Sequence, residues 1–318
     1  MKILLFHIAT FAILQVNLVY SAVLTCNSTT PPCVVTSITP VTSPYELITI
    51  DGQPSNYIDE TTTDLSFNAP NILNYVPTNV FNIFPKLNQI ILSNVLLTNV
   101  VSNAFTNCGN LQSIRILNNN FPTLPANFAS TCNNVGLLQL YFNNIKSIDA
   151  NALKGLTVLT NIYLSNNKIT CIPPSLFQNT PVISYIDLSN NQISEIHADT
   201  FKNLRNLMTI NLVNNSIINL PAFDLTGSSL TSMSLMLQLY DNQYNSISPK
   251  FLSNIFTGRT MVSINVMLYT TGPTSNFTCI SNTNSYSIYN FNWPTADASL
   301  GPCYANWKDS YQTSLSCV

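Results

Sequence analysis

Residues 159–180 read LTNIYLSNNKITCIPPSLFQNT, and residues 183–204 read ISYIDLSNNQISEIHADTFKNL. The two stretches align at an offset of 24 residues, and the same offset aligns most of the chain with itself. Three apolar columns recur once per period: Ile90, Ile114, Leu138, Ile162, Ile186 and Ile210; Leu92, Ile116, Leu140, Leu164, Leu188 and Leu212; and Val100, Leu124, Ile148, Ile172, Ile196 and Leu220. A fourth column is asparagine: Asn119, Asn143, Asn167, Asn191 and Asn215. This period predicts a stack of similar structural units.

Each unit contains a segment in which apolar and polar residues alternate, which predicts a short strand with one buried face. Copies of this strand should pair as neighbours in a parallel sheet, about 4.8 Å apart. The asparagine follows the strand, where its amide can donate to and accept from backbone groups that the sheet no longer pairs. The return path to the next strand carries large apolar residues that should fill the interior: Phe105, Leu153, Phe177 and Phe201.

The two quoted stretches resemble the typical 24-residue class of extracellular leucine-rich repeats. The resemblance implies an α/β solenoid: a horseshoe with a parallel concave β-sheet, an irregular or 3-10 convex side and disulfide-containing caps. It indicates function only weakly, because this fold serves receptors, inhibitors and matrix proteins alike.

Four segments are predicted along the chain. Residues 1–21 form a signal peptide, in which Lys2 precedes an apolar run that ends at Val16; a membrane anchor is the alternative, but the run is too short to span a bilayer. Residues 22–61 form an N-terminal cap, residues 62–268 about eight repeats, and residues 269–318 a C-terminal cap that contains cysteines. The repeat is degenerate at Pro70 and Val95, which replace asparagine, and an insertion of about four residues near Leu230 to Met233 is needed to restore the period.

Composition favours a secreted glycoprotein. Charged residues make up 8% of the chain and the net charge is −2, so nucleic acid is excluded as a partner, whereas 46% hydrophobic residues suffice for a large core. All eight cysteines follow the signal segment, which suits an oxidising compartment. Glycosylation sequons begin at Asn27, Asn214 and Asn276. No stretch after residue 21 is apolar enough to span a membrane, so we expect an extracellular chain without a membrane span.

The cysteines divide into four groups. Cys108 and Cys132 share an inward column of adjacent repeats and form either a disulfide, which is favoured, or two buried thiols. Cys26 and Cys33 flank a proline-rich loop in the N-terminal cap and are expected to pair. Two of the three C-terminal cysteines should also pair (Cys279, Cys303 and Cys317). Cys171 is expected to be a buried free thiol.

Catalysis is not expected. His197 is the only histidine beyond the signal segment, and it falls on a return loop, where an exposed structural residue is expected. The carboxylates Asp149, Glu195 and Asp199 lie on separate loops rather than as a pair. The cysteine spacings are not those of zinc ligands, and no glycine-rich phosphate loop is present. We therefore expect neither enzymatic activity nor a metal or other cofactor.

The concave face is the predicted binding surface. Residues between the buried strand positions should form rows on this face, and the middle row reads Ile91, Arg115, Gln139, Tyr163, Asp187 and Asn211. Aromatic residues with flanking charges are typical of binding hot spots, although aromatics can also simply stabilise an exposed sheet. The predicted ligand-binding residues are Arg115, Gln139, Tyr141, Phe142, Tyr163, Tyr185 and Asp187.

The predicted function is recognition of an extracellular protein, peptide or glycan, with a membrane receptor as a further candidate partner. The weakly charged, tyrosine-rich lining favours a glycan or a neutral peptide over a polyanion. Two alternatives use the same features: a structural protein of the extracellular matrix with a glycosylated coat, and an inhibitor of a secreted hydrolase that binds by the same face.

Overall fold

A computed structural model describes residues 21–26, 33–38, 41–43, 47–50, 58–221, 223, 225, 234–239, 241–243, 246–247 and 263–267. Short strands dominate. The strands of the main sheet are β1 (Ser21–Cys26), β2 (Cys33–Ile38), β3 (Leu47–Ile50), β4 (Asp64–Phe67), β5 (Gln89–Ser93), β6 (Ser113–Leu117), β8 (Leu137–Gln139), β10 (Asn161–Tyr163), β11 (Tyr185–Asp187), β12 (Thr209–Asn211), β14 (Ser234–Gln238) and β16 (Ser263–Met267). The return segments contain β7 (Thr123–Leu124), β9 (Ser147–Ile148), β13 (Asn219–Leu220), β15 (Ser246–Ile247), the one-turn helix α1 (Val80–Ile83) and a 3-10 helix (Ala198–Phe201).

The main sheet has twelve strands, in the order β16-β14-β12-β11-β10-β8-β6-β5-β4-β2-β1-β3. All neighbours pair in parallel except β1 and β2, which are antiparallel. From β5 to β12 each residue pairs with the residue 24 positions later, so that Ile162 stands between Leu138 and Ile186. Parallel strands that follow one another along the chain make a solenoid, as the period predicts. The return segments pair separately, β7 with β9 and β13 with β15.

The three apolar columns form one continuous core. Both columns that flank the middle strand position are fully buried at every repeat from Ile90 to Leu212, and the third column is at most 8% exposed. Each such aliphatic side chain contributes about 1.5–3 kcal/mol through the hydrophobic effect. The predicted spine of Leu140, Leu164 and Leu188 is confirmed.

Phenylalanine rings fill the space behind the sheet, as predicted for the return path. The ring centroids of Phe105 and Phe128 are 5.0 Å apart, and those of Phe177 and Phe201 are 5.9 Å apart. Between these two clusters the turns approach closely at Gly155, which has φ +89°. A Cβ atom at Gly155 would lie 2.1 Å from the carbonyl oxygen of Ser130, so only glycine fits there without a shift of the backbone.

The asparagine column forms a buried ladder beside the sheet. Asn167 Nδ2 donates to the carbonyl oxygens of Leu140 (2.9 Å) and Leu164 (3.0 Å), and Asn167 Oδ1 accepts from the N–H of Ile145 (3.1 Å). Each of these asparagines thus joins its own turn to the preceding turn. The same arrangement, with a donor to the preceding turn, recurs at Asn119, Asn143, Asn191, Asn215 and Asn242. The predicted role of the column, to satisfy backbone groups where each strand ends, is confirmed.

The irregular repeats depart from the period in ways that the structure defines. Between β12 and β14 the pairing offset is 27 residues (Ile210 with Leu237), so the insertion is three residues rather than about four. Its predicted site near residues 230–233 lies outside the described residues. Val95 is buried where an asparagine is expected, and its N–H donates to Asn119 Oδ1 (3.1 Å). The Asn119 N–H donates in the same way to Asn143 Oδ1 (2.9 Å), so the following turn keeps its usual bond to this position although valine offers no side-chain amide of its own.

The cysteines confirm one prediction and correct another. Cys108 and Cys132 form a disulfide between adjacent turns, with Cα atoms 4.9 Å apart. Cys171 is a free thiol, but it is exposed and not buried. It falls in the column of Thr123 and Ser147, which points outward, one position before the buried column. The side chains of Cys26 and Cys33, and all of residues 279, 303 and 317, lie outside the described part, so these pairings and the four segment boundaries stay predictions.

Within the part of the chain that is described, no helix combines the length and the apolar character needed to cross a bilayer.

Candidate concave binding surface

The predicted middle row of the concave face exists as a row of paired residues. Ile91, Arg115, Gln139, Tyr163, Asp187 and Asn211 are successive partners across the parallel sheet, and Gln238 continues the row. Their side chains alternate along each strand with the fully buried columns. The spacing of about 4.8 Å between strands therefore sets the spacing of the side chains that the face displays.

Four aromatic side chains on three consecutive repeats form what we call the aromatic patch: Tyr141, Phe142, Tyr163 and Tyr185. The ring centroids of Tyr163 and Tyr185 are 5.0 Å apart with planes inclined by 34°. Those of Tyr141 and Phe142 are 5.6 Å apart in an edge-to-face arrangement. The N–H of Phe142 donates to the carbonyl oxygen of Ser165 (3.2 Å). This hydrogen bond joins the turn that carries Tyr141 and Phe142 to the repeat that carries Tyr163. The structure thus brings the four predicted rings together as two pairs on neighbouring repeats.

Phe142 has a backbone conformation that its residue type disfavours. Its φ is +56°, in the left-handed region, and 51% of its surface is exposed. The equivalent position is also left-handed in six other repeats, but there it is aspartate at Asp241 and otherwise asparagine: Asn94, Asn118, Asn166, Asn190 and Asn214. Asparagine tolerates this region, whereas a bulky residue in it is an outlier. The turn therefore imposes the conformation, and Phe142 adopts it in spite of its side chain.

The two charged residues predicted to border the patch differ in accessibility. Arg115 is partly exposed, and its Nε donates to Ser113 Oγ (3.3 Å). It lies two strands from Tyr163, roughly 10 Å away. Asp187 is only 9% exposed, and its Oδ1 accepts from both the N–H (3.0 Å) and the Oγ (2.7 Å) of Ser189. Arg115 can thus meet a ligand directly, while Asp187 mainly orders the end of its own strand.

Asp187 also acts on the neighbouring tyrosine. Partial burial raises the pKa of Tyr185 above its ordinary value, and Coulombic repulsion from Asp187 and Tyr163 raises it further. Tyr185 is therefore a neutral hydrogen-bond donor and acceptor at any physiological pH. The patch presents uncharged rings with hydroxyl groups at their edges.

The remaining predicted positions lie away from the patch. His197 is exposed and caps the 3-10 helix, with its Nδ1 accepting from the N–H of Asp199 (3.2 Å). Asn214 is exposed, and its Nδ2 donates to Asn190 Oδ1 (2.8 Å). Asn27 and Asn276, the other two sequon positions, lie outside the described residues. Among the described residues no group of three or more histidine, cysteine or acidic side chains is placed to hold a metal ion.

Sequence reasoning missed the strained backbone of Phe142. The signal was present, because asparagine occupies the same column on both sides of it and asparagine is enriched in left-handed conformations.

Comparison with known proteins agrees with this architecture. A family model described as leucine rich repeat matches residues 133–193 and 181–236. No curated protein matches the chain. Among solved structures, the LRIM1/APL1C complex is similar at 15% identity and TM-score 0.59, over 78% of this chain and 47% of that one. The APL1 leucine-rich repeat domain is similar at 15% identity and TM-score 0.53, over 78% and 65%.

The TLR13–ssRNA13 complex is similar at 17% identity and TM-score 0.53, over 69% of this chain and 35% of that one. The chain therefore spans between about a third and two thirds of these structures, and at such identities the likeness concerns the fold. The period, the buried columns, the asparagine ladder and the family model agree on one conclusion: this chain is a leucine-rich-repeat protein of the 24-residue class.

Proposed function

We propose that this chain is a secreted recognition protein that binds an extracellular protein, peptide or glycan on its concave face, with the aromatic patch at the centre of contact. The observation that carries the proposal is Phe142, a half-exposed phenylalanine in a left-handed turn where six other repeats have asparagine or aspartate.

The left-handed backbone conformation of Phe142 lowers the stability of the fold. A left-handed conformation costs an ordinary L-residue roughly 1–2 kcal/mol, and asparagine would reduce this cost. The edge-to-face contact with Tyr141 returns about 0.5–1.5 kcal/mol. Phe142 thus gives the folded chain little or no net stability, while half of its surface faces solvent. Strained residues of this kind cluster at ligand-binding sites, where the exposed ring supplies contact area.

The rest of the patch has the composition of a binding hot spot. Tyrosine is enriched at such sites because its ring buries apolar area while its hydroxyl keeps a polar partner. Arg115 adds one accessible charge beside the rings. The similar LRIM1/APL1C structure is a complex of two proteins, which supports a binding role for a chain of this fold.

Secretion and glycosylation belong to the same proposal. The apolar segment within residues 1–21, the Cys108–Cys132 disulfide and the exposed sequon at Asn214 all suit the extracellular space. When the chain is expressed in a eukaryotic cell, the protein should be secreted into the culture medium with Ala22 as its N-terminal residue. Asn214→Gln should remove one glycan from its mass. Retention of residues 1–21 in the cell-associated product would contradict secretion.

The binding proposal is tested by capture of partners from extracellular fluid with wild type, Tyr163→Ala/Tyr185→Ala and Phe142→Asn. Loss of a hot-spot side chain costs about 2 kcal/mol or more, so each variant should bind the captured partner at least roughly 30-fold more weakly. Phe142→Asn is the sharper variant, because it restores the residue that the repeat prefers. Its unfolding free energy should stay within about 1 kcal/mol of wild type.

Met208→Ala is the matched control, since Met208 is a 40% exposed apolar side chain outside the patch. It should leave capture unchanged. Equal capture by wild type and both patch variants would refute the proposal and favour a structural matrix protein. A captured hydrolase that loses activity on binding would instead identify an inhibitor that uses this face.

We also propose that the chain is not an enzyme. His197 and Asp199 are exposed on a return segment, where their contact caps a helical turn, and Asp199 also lies 3.7 Å from Lys202 Nζ in an exposed ion pair. A turnover screen against ester, peptide and glycoside substrates should show no activity above that of His197→Ala. Hydrolysis that His197→Ala abolishes would overturn this view.

A further inference from the structure

Leu96 shares two disfavoured properties with Phe142. It is 60% exposed, although leucine is normally buried, and its φ of +57° lies in the left-handed region. Among the described residues other than glycine, every other left-handed position is asparagine or aspartate. Leu96 and Phe142 are therefore the two places in this part of the chain where a bulky apolar side chain faces solvent from a backbone conformation that disfavours it.

The turn of Leu96 would suit a different residue. Asparagine occupies the same column in the next two repeats, at Asn120 and Asn144, whose side chains hydrogen-bond to each other. Asparagine is well solvated and tolerates the left-handed region, whereas leucine in that region is strained. Folding therefore gains little from leucine at this exposed position.

Leu96 and Phe142 lie on one rim of the concave sheet, where the strands end. Leu96 follows β5 and Phe142 follows β8, and β6 lies between these two strands. The two turns are thus two strand spacings apart, about 10 Å. Leu117, the last residue of β6, is partly exposed between them, at the position that Tyr141 has in the next repeat. We call Leu96, Leu117 and Phe142 the apolar rim, which continues the aromatic patch toward the N-terminal repeats.

Arg115 gives the apolar rim one positive charge, on the strand between its two ends. The side chain is partly exposed, its Nε donates to Ser113 Oγ (3.3 Å), and no carboxylate among the described residues forms an ion pair with it. A ligand that covered the rim would remove water from this guanidinium, which is costly unless the ligand supplies a negative group. A carboxylate matches the planar fork of arginine best. The complementary ligand therefore has a carboxylate between two apolar contacts.

We propose that the apolar rim binds an amphipathic helix of a protein partner, with an acidic residue between two apolar residues on one face. In a helix, residues i and i+7 lie about 10.5 Å apart on one face, with i+3 and i+4 between them. Residues on one face of an extended strand recur instead at about 6.7 Å and 13.4 Å. The helix is therefore the conformation that matches the spacing of the rim.

This inference rests on the proposed function and selects one partner among those that it allows. An exposed aliphatic side chain such as Leu96 is best covered by other apolar side chains. A sugar ring carries hydroxyl groups on most of its carbons, and those groups would lose water against leucine without gaining a hydrogen bond. The rim therefore favours a protein over a glycan.

The test is selection of a phage-displayed library of random peptides on the immobilised chain, with a glycan array probed in parallel. The peptides should be long enough for about four helical turns. Enriched peptides should carry an apolar residue, an Asp or Glu three or four positions later, and a second apolar residue at the seventh position. A synthetic copy of the best peptide should gain helix by circular dichroism when it binds.

Three variants locate the peptide. Leu96→Asn should weaken binding of the synthetic peptide roughly tenfold, because one leucine side chain is no longer buried, and should keep the melting temperature of wild type. Arg115→Glu should select Lys or Arg in place of the acidic residue, which a merely structural role of Arg115 would not cause. Val158→Ala is the matched control, since Val158 is a 43% exposed apolar side chain that precedes β10 and lies at the opposite ends of the strands. It should bind the peptide as wild type does.

The outcomes separate this inference from the proposed function. Peptides that Tyr163→Ala/Tyr185→Ala loses, but that Leu96→Asn and Arg115→Glu bind as wild type does, would overturn the inference and leave the proposed function standing. Peptides that none of these substitutions weakens would refute both. The inference also fails if the enriched peptides lack the spaced apolar and acidic residues, or if no peptide is enriched, whether or not a glycan binds.

Discussion

Replacing Asn167 with alanine tests whether the buried asparagine ladder holds adjacent turns together. Asn167 makes four hydrogen bonds to backbone groups: its Nδ2 donates to the carbonyls of Leu140, Leu164 and Ser165, and its Oδ1 accepts from the N–H of Ile145. The residue is 7% exposed, so water cannot replace the lost amide without opening the turn.

The cost follows from the groups left behind. The N–H of Ile145 loses its acceptor in a buried position, at about 1–3 kcal/mol, and the net value of the Nδ2 bonds adds about 1 kcal/mol. We expect Asn167→Ala to lower the free energy of unfolding by about 2–4 kcal/mol. For a chain of this size that corresponds to a fall in melting temperature of roughly 4–16 °C.

Thermal and urea unfolding give the global effect, and amide hydrogen exchange gives the local one. Because stacked repeats need not unfold in a single step, the exchange rate of the Ile145 amide is the more direct readout, and it should rise with the substitution. Asn206→Ala is the matched control: the same chemical change at an exposed turn residue should stay within about 0.5 kcal/mol of wild type. An Asn167→Ala variant as stable as Asn206→Ala, with an unchanged Ile145 exchange rate, would refute this view of the ladder.

Three further predictions concern other parts of the solenoid. Gly155→Ala should lower the free energy of unfolding by more than about 1 kcal/mol, because it adds a Cβ atom 2.1 Å from the carbonyl oxygen of Ser130 at a left-handed position. Gly109→Ala is the control: a Cβ atom there would have no atom within 4 Å, so the same urea titration should show no change. Cys108→Ala/Cys132→Ala should lower the free energy of unfolding by about 3 kcal/mol, the value for closing a loop of 24 residues, and reducing agent should lower the melting temperature of wild type more than that of the variant. In an ultraviolet titration Tyr185 should ionise above pH 10, and Asp187→Asn should bring its pKa down, but not fully to the ordinary value, because burial is the larger cause. The folded chain holds the Tyr185 hydroxyl proton more tightly than the unfolded chain does, so the free energy of unfolding should fall as the pH rises above 10. An unchanged Tyr185 titration in Asp187→Asn would exclude the contribution of the Asp187 charge to this pKa.

The sequence was sufficient to predict everything that recurs with the period. Ile162 and Leu164 are buried, Tyr163 is displayed between them, and Asn167 pairs backbone groups because each position has the same neighbours one turn before and one turn after. The Cys108–Cys132 disulfide was predictable for the same reason, since equal positions on adjacent turns lie within reach of one another.

Features that depend on local backbone geometry were not predicted, or were predicted wrongly. Cys171 was placed inside because cysteine is commonly buried, although its column faces outward at Thr123 and Ser147. The left-handed turn at Phe142 was missed, although the asparagines at the same position of the neighbouring repeats indicated it. The insertion before β14 was predicted one residue too long, and the pairing of Ile210 with Leu237 gives its length as three.

The registered stacking of the strands separates two kinds of position. Residues such as Leu164 and Asn167 pack against or hydrogen-bond to the adjoining turns. Tyr163 and its partners in the middle row are instead displayed toward a ligand on the concave face. Substitutions in the middle row, one side chain per repeat, can therefore change binding specificity with little effect on the free energy of unfolding. The concave sheet therefore lets contact residues vary one repeat at a time, whereas Phe142 adds a contact ring at a turn whose left-handed backbone asparagine would adopt more readily.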